Sequence, residues 1–184
     1  MTAQIPSDVA IIGAGPAGAA AAILLARKDR KVVLIDRQKS PRPVPCAGWL
    51  SSRAQSLIDE LGCSFPARTL TPFTSVTLYN ADCTKCASPK LDGPVGYLVD
   101  RAAFDAALAR HAESLGATFL HGEEAKELRM GEAQVTIKLS NSAIQSRLLI
   151  LATGRAQELT SRVGFAQRGS DVPTWVAQVD AAVR

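Results

Sequence analysis

Residues 8–37, DVAIIGAGPAGAAAAILLARKDRKVVLIDR, allow few folds. Val9, Ala10, Ile11 and Ile12 form a short apolar run, as a strand buried on both faces does. Gly13-Ala14-Gly15-Pro16-Ala17-Gly18 then supplies G-x-G-x-x-G. The first glycine allows a tight turn, the second lets backbone approach a pyrophosphate, and the third lets the helix pack on the strand. Residues 17–28 are mostly alanine and leucine and read as that helix. Its N-terminus offers free N–H groups and about half a unit of positive charge, which suits a phosphate pair. Residues 31–35 read as a second strand, closed by Asp36. Asp36 lies 18 positions after Gly18, close to the ~20 at which an acid meets a ribose hydroxyl. Strand, glycine turn, helix, strand and acid together point to a dinucleotide. Asp36 also disfavours a 2′-phosphate, because the two anions would repel.

The rest of the composition narrows the class. The chain has 184 residues, of which 47% are hydrophobic and 21% charged, which is ordinary for a globular protein with a real core. The net charge is +4, but the basic residues are scattered and aromatics make up only 5%. A nucleic-acid surface is not indicated. The first residues, MTAQIPSD, lack the basic region of a secretory signal. The apolar stretch after them is broken by Gly13, Gly15, Pro16 and Gly18, so no transmembrane segment is expected there. The expectation is a cytoplasmic protein with reduced thiols at Cys46, Cys63, Cys83 and Cys86.

Down the chain, residues 1–7 read as a polar, flexible lead, and the proline-rich 38–45 as a loop. A helix is expected over 52–61, with Ala54, Leu57, Ile58 and Leu61 on one face and Gly62 as its cap. Residues 71–78 read as a strand, with 83–89 as a pairing partner, and 97–99 as a further short strand. Residues 101–115 form an amphipathic helix that buries Phe104, Leu108 and Leu115; Gly116 caps it and a strand follows over 117–121. Residues 124–130, 134–139 and 144–151 read as three strands joined by short turns, hence an antiparallel meander. Its last strand is expected to rejoin the parallel sheet beside the first. Residues 175–179 read as the start of another strand.

Four pieces in this order carry a resemblance: the opening unit with its acid, Cys46-x-Gly48, Val99-Asp100-Arg101-x-x-Phe104-Asp105-x-x-Leu108, and Leu151-Ala152-Thr153-Gly154. Together they resemble FAD-dependent oxidoreductases of the glutathione-reductase-like superfamily, most closely the geranylgeranyl reductase and flavin monooxygenase branch. The resemblance implies an α/β fold: a Rossmann-like FAD-binding βαβ unit with a parallel sheet, a three-stranded β-meander and an incomplete substrate sheet. Residues 1–155 would be the FAD-binding domain, with part of the substrate sheet inserted near 71–99. Residues 156–184 would begin a substrate-binding region. FAD would be held by Gly13, Gly15, Pro16, Ala17, Gly18, Asp36, Arg37, Cys46, Ala47, Gly48, Arg101, Thr153 and Gly154. An arginine opening a helix is unfavourable for the helix dipole, which favours an anion close to Arg101.

The implied activity is electron transfer from NAD(P)H or another donor to an apolar or aromatic small molecule or to oxygen. No catalytic acid or base stands out; Cys46 is the one candidate near the reaction centre. The family continues through a substrate sheet to a Gly-Asp motif that grips the flavin side of the cofactor. Here Gly164 and Gly169 are followed by Phe165 and Ser170. A partner chain, a dimer or further polypeptide is therefore expected to complete the cleft, with exposed apolar surface where it joins. The rival readings are a non-catalytic nucleotide-binding module and an NAD-binding dehydrogenase domain; the meander and the Arg101 helix speak against the latter.

Cys83-Thr84-Lys85-Cys86 has the spacing of half a zinc site or a redox pair. No second pair follows, and His111 and His121 lack ligand spacing to it, so no metal is assigned. His111 reads as a surface residue, His121 as a strand end and a candidate neighbour of the cofactor, and Trp49 and Trp175 as packing residues.

Overall fold

In the computed structural model, residues 3–88, 95–155 and 158–164 are described. The central sheet has six strands in the order β8-β2-β1-β11-β10-β9. These are β1 (Ala3–Ile12), β2 (Val32–Asp36), β8 (Thr118–His121), β9 (Glu127–Met130), β10 (Val135–Lys138) and β11 (Ser142–Leu151). The strands β8, β2, β1 and β11 run parallel, and β11, β10 and β9 form the antiparallel meander. The last meander strand does rejoin the sheet beside the first, pairing Ile12 with Leu151.

Alternation along β1 explains the two-sided burial. Val9 and Ile11 point into one core with α1 (Pro16–Ala26) and α3 (Arg101–Ser114). Ala10 and Ile12 point into a second core with Val135, Ile137 and Ile144 of the meander. Alanine dominates the helix contact: Ala19 and Ala22 of α1 and Ala109 and Ala112 of α3 are buried in one cluster, and small side chains let the two helices approach closely. Asp100 caps α3, its carboxylate accepting from the N–H groups of Ala102 and Ala103. Gly62 and Gly116 follow α2 (Ser52–Glu60) and α3 with positive φ, as C-terminal caps.

Three short strands, β3 (Trp49–Ser51), β7 (Gly96–Val99) and β4 (Leu70–Phe73), make a separate antiparallel sheet. A hairpin of β5 (Leu78–Tyr79) and β6 (Cys86–Ala87) stands apart. A short helix, α4 (Glu158–Arg162), follows β11.

Several elements differ from expectation. Residues 3–7 are not a flexible lead, because β1 is paired with β11 from Ala3 onward. The strand expected over 71–78 is two strands, since β4 pairs with β7 while β5 pairs with β6 in another sheet. Leu57 is 56% exposed: only a narrow stripe of α2, ending in Ile58 and Leu61, reaches the core. The first meander strand starts at Glu127, not at Glu124. His111 is not a solvated residue; its Nε2 meets the Leu61 carbonyl at 3.0 Å and ties α3 to the end of α2. The expected strand at 175–179, with Trp175, lies outside the described residues.

Candidate cofactor site

The site forms at the C-terminal ends of β1, β2 and β11, where open α/β sheets bind ligands. The turn after β1 is held from both sides. The Gly13 N–H donates to the Ile35 carbonyl (2.7 Å), and the Ala152 N–H donates to the Ile12 carbonyl (2.8 Å). Gly13 has φ +107, and a Cβ there would press into the Ala152 backbone. A Cβ on Gly18 would collide with the Gly13 carbonyl, so this glycine sets how closely α1 meets the turn. Gly15 differs: a Cβ there meets nothing within 4 Å. Gly15 is the N-cap of α1 with Pro16 at its first turn, and no side chain and no first-turn acid caps the helix. Two glycines of the motif thus serve the fold, and the third keeps space open in front of a helix N-terminus.

Asp36 is buried at the end of β2, 7% exposed. Its Oδ2 accepts from the Ala14 N–H (2.9 Å) and its Oδ1 from the Gln38 N–H (2.9 Å). The carboxylate therefore locks the glycine turn to the start of the next loop. Arg42, from the proline-rich loop, adds an ion pair to Oδ2 at 3.4 Å.

Arg101 opens α3 with its fork closed on Asp105, at 2.9 and 3.0 Å. The anion that the helix-start arginine called for is thus a carboxylate of its own helix. Asp105 keeps the guanidinium protonated, and the Cys46 side chain adds to this more weakly. Cys46 is exposed. Its thiol is held below its ordinary pKa, first by the Gly48 N–H, which donates to Sγ at 3.4 Å, and then by Arg101 against partial burial. Burial pushes the Cys63 thiol the other way.

A cavity of about 870 Å³ runs across these strand ends, within the usual range for ligand sites. Of the expected residues, Gly13, Gly15, Asp36, Arg37, Arg101, Thr153 and Gly154 line it. Pro16, Ala17 and Gly18, in the first turn of α1, are not on it, and neither are Cys46, Ala47 and Gly48. His121 does not line it either; its ring lies against Phe119. The sequence reading missed Arg42, Glu123, Glu124, Lys126, Arg155, Glu158 and Arg162, which complete its charged lining. For Arg42 the only signal was a basic residue in the loop directly after the acid. Glu123, Glu124, Lys126 and Arg155 sit on connections, and Glu158 and Arg162 on the five-residue α4, whose paths no periodicity reveals. The lining carries six basic and four acidic side chains, a balance that favours an anion. Among the described residues, no group of three or more His, Cys, Asp or Glu residues is placed to hold a metal ion.

The sequence profile of a family described as FAD binding domain matches residues 6–183. The chain belongs to this FAD-binding family. Its cofactor is therefore FAD, and the open space at Gly15, the uncapped helix and the basic cavity fit a diphosphate-bearing molecule. The chain is 34% identical over 150 residues to an uncharacterised protein of Methanosarcina barkeri, covering 80% of this chain and 37% of that one. It is 28% identical to a menaquinone reductase of Mycobacterium tuberculosis, covering 89% and 41%. It spans about two-fifths of the length of these curated relatives. Among solved structures, a geranylgeranyl bacteriochlorophyll reductase-like protein from Thermoplasma acidophilum superposes with TM-score 0.74 at 24% identity, covering 88% of this chain and 43% of that one. That likeness establishes the FAD-binding Rossmann-like fold. Among the described residues, no helix is long and apolar enough to cross a membrane.

Proposed function

We propose that this chain is the FAD-holding part of an FAD-dependent oxidoreductase of the reductase or monooxygenase type, in the glutathione-reductase-like superfamily. The observation that carries the reading is the division of labour in the glycine turn: Gly13 and Gly18 are required by packing, while Gly15 faces open space at an uncapped helix end. Gly15 and the first turn of α1 would meet the pyrophosphate, and Asp36 would accept from the adenosine ribose hydroxyls. Thr153, Gly154 and Arg101 would line the path onward, with Cys46 behind Arg101. FAD, when bound, supplies the electron chemistry, while the protein positions and polarises it. On this reading, residues 1–155 form the FAD-binding domain, the small sheet near 71–99 belongs to the substrate side, and 156–184 begin the substrate region.

The substrate would be an apolar or aromatic small molecule and the donor NAD(P)H. The names of relatives support the class: a menaquinone reductase, a digeranylgeranylglycerophospholipid reductase and, by fold, a p-nitrophenol 4-monooxygenase. Trp49, Leu98 and Leu148 are each more than half exposed, which supports a cleft completed by further polypeptide or a partner chain. The four free cysteines support a reducing, cytoplasmic setting.

The test is the visible spectrum of the purified chain with and without added FAD. Bound flavin, seen as a shifted and structured absorption band, is the expected result. If no FAD binds at saturating concentration, the chain does not hold the cofactor by itself. A second reading, a nucleotide-binding module without turnover, is separated by NAD(P)H-dependent bleaching of that bound flavin.

A further inference from the structure

The Asp36 carboxylate has three partners. Two are backbone N–H groups, Ala14 and Gln38, which belong to the fold. The third is Arg42, whose Nη2 sits at 3.4 Å from Oδ2, with 24% of the arginine side chain exposed against 8% of the aspartate. A carboxylate offers about four lone-pair positions. With Ala14 and Arg42 on Oδ2 and Gln38 on Oδ1, little acceptor capacity remains for a pair of ribose hydroxyls. Arg42 also borders two spaces. One is the large cavity, and the other is a void of about 10 Å³ that it shares with Asp36, Gln38, Ser40 and Asp105, about the room of a single water. The void is too small to take the guanidinium, so on leaving Asp36 it turns to the cavity or to solvent.

We propose that Arg42 is a latch on the ribose site: it holds Asp36 in the free chain and gives it up to the adenosine ribose when FAD binds. The proposal rests on placing that ribose at Asp36. The long, one-sided ion pair fits the role. It is weaker than the two-armed Arg101–Asp105 pair, and it uses the one partner of Asp36 that is not backbone. FAD binding is then an exchange of partners at a single carboxylate oxygen, and the arginine competes with the cofactor.

The experiment is a double-mutant cycle on FAD affinity, read by quenching of flavin fluorescence, with the single variants R42Q, R42K and D36N and the double variant D36N/R42Q. R42Q is expected to bind FAD about two- to five-fold more tightly, the size of a partly exposed ion pair. R42K, which keeps the charge, is expected to stay closer to wild type. D36N is expected to weaken binding, and adding R42Q to it to change nothing further, because the latch has lost its target. In the free chain, the amide resonances of Ala14 and Gln38 are expected to move in R42Q. Weaker binding in R42Q, by the same factor with and without Asp36, would overturn the latch and make Arg42 a direct cofactor contact. Unchanged affinity in D36N would instead remove the ribose from Asp36, and the latch with it.

Discussion

Arg101 closes both arms of its guanidinium on Asp105, one helical turn further along α3, with Nε on Oδ1 at 2.9 Å and Nη2 on Oδ2 at 3.0 Å. A cation at a helix N-terminus is opposed by the dipole, and the bidentate carboxylate offsets that cost. Asp105 is 5% exposed, so removing it strands a positive charge that has few other acceptors. Asp105→Ala is expected to cost about 1–3 kcal/mol, the range for a hydrogen bond to a charged group and its orphaned partner. Urea unfolding measures this, and an unchanged midpoint would show that solvent replaces the carboxylate.

The same guanidinium reaches Cys46. The thiol is held below its ordinary pKa by the Gly48 N–H first and by Arg101 second. Its thiolate fraction at neutral pH is then larger than that of a free cysteine, and the thiolate is the reacting form. With Cys63, Cys83 and Cys86 replaced by serine, the pH midpoint for alkylation of Cys46 is expected below that of a small-molecule thiol. Arg101→Gln should move the midpoint upward only part of the way, since the Gly48 contact remains. Mass spectrometry of iodoacetamide adducts across pH provides the measurement; a midpoint at or above the free-thiol value would contradict the contact geometry.

The three motif glycines make a sharper test than a single knockout. At Gly13 a side chain meets the Ala152 backbone in a positive-φ turn, and at Gly18 it meets the Gly13 carbonyl. Alanine at either position is expected to destabilise the chain by about 1–3 kcal/mol, as overpacking does. Gly15 has φ −72 and open space in front of it. Gly15→Val should leave the unfolding midpoint within about 0.5 kcal/mol, as at ordinary surface positions, while FAD binding falls at least about tenfold. Denaturation and flavin titration on the same samples separate the two effects. Equal loss of stability at all three positions would mean that Gly15 also serves packing.

These contrasts also mark what a linear sequence carries. The opening unit was legible because each part is local: an apolar run, a fixed glycine spacing and an acid at the end of the next strand. The partnership of β1 with β11 was inferred from the order of the elements, yet its reach back to Ala3 was not, because residues 3–7 lack a strand pattern and are ordered by Ser142–Ser146 across the sheet. Asp36 was found by spacing, but Arg42 was not, since only the path of the loop brings it to the carboxylate. Arg101 was singled out as a misplaced charge, and its partner four residues along was visible in the same helix. Cys46 was placed near the cofactor by resemblance; the structure sets it behind Arg101, off the cavity wall. The sequence pattern puts Glu124 and Lys126 in a strand; they line the cavity, with Glu123, because the meander begins only at Glu127.

The small sheet carries its own glycine requirement. Trp49 on β3 and Phe73 on β4 meet edge to face, with ring centroids 5.4 Å apart. They flank Gly96 of β7, which pairs with Ser51 on one side and Phe73 on the other. A Cβ on Gly96 would lie 2.5 Å from the Leu50 carbonyl and 2.6 Å from Trp49 Nε1. The carbonyl belongs to a paired strand and cannot swing aside as a side chain can, so the strands themselves must part. Gly96→Ala is expected to cost about 1–3 kcal/mol and to drive the Trp49 ring off Phe73. Trp49 is 53% exposed already, so its emission in a Trp175→Phe background should move further to the red. A variant with unchanged stability and unchanged emission would show that the indole rotates clear and that the aromatic pair does not fix the spacing of β3, β7 and β4.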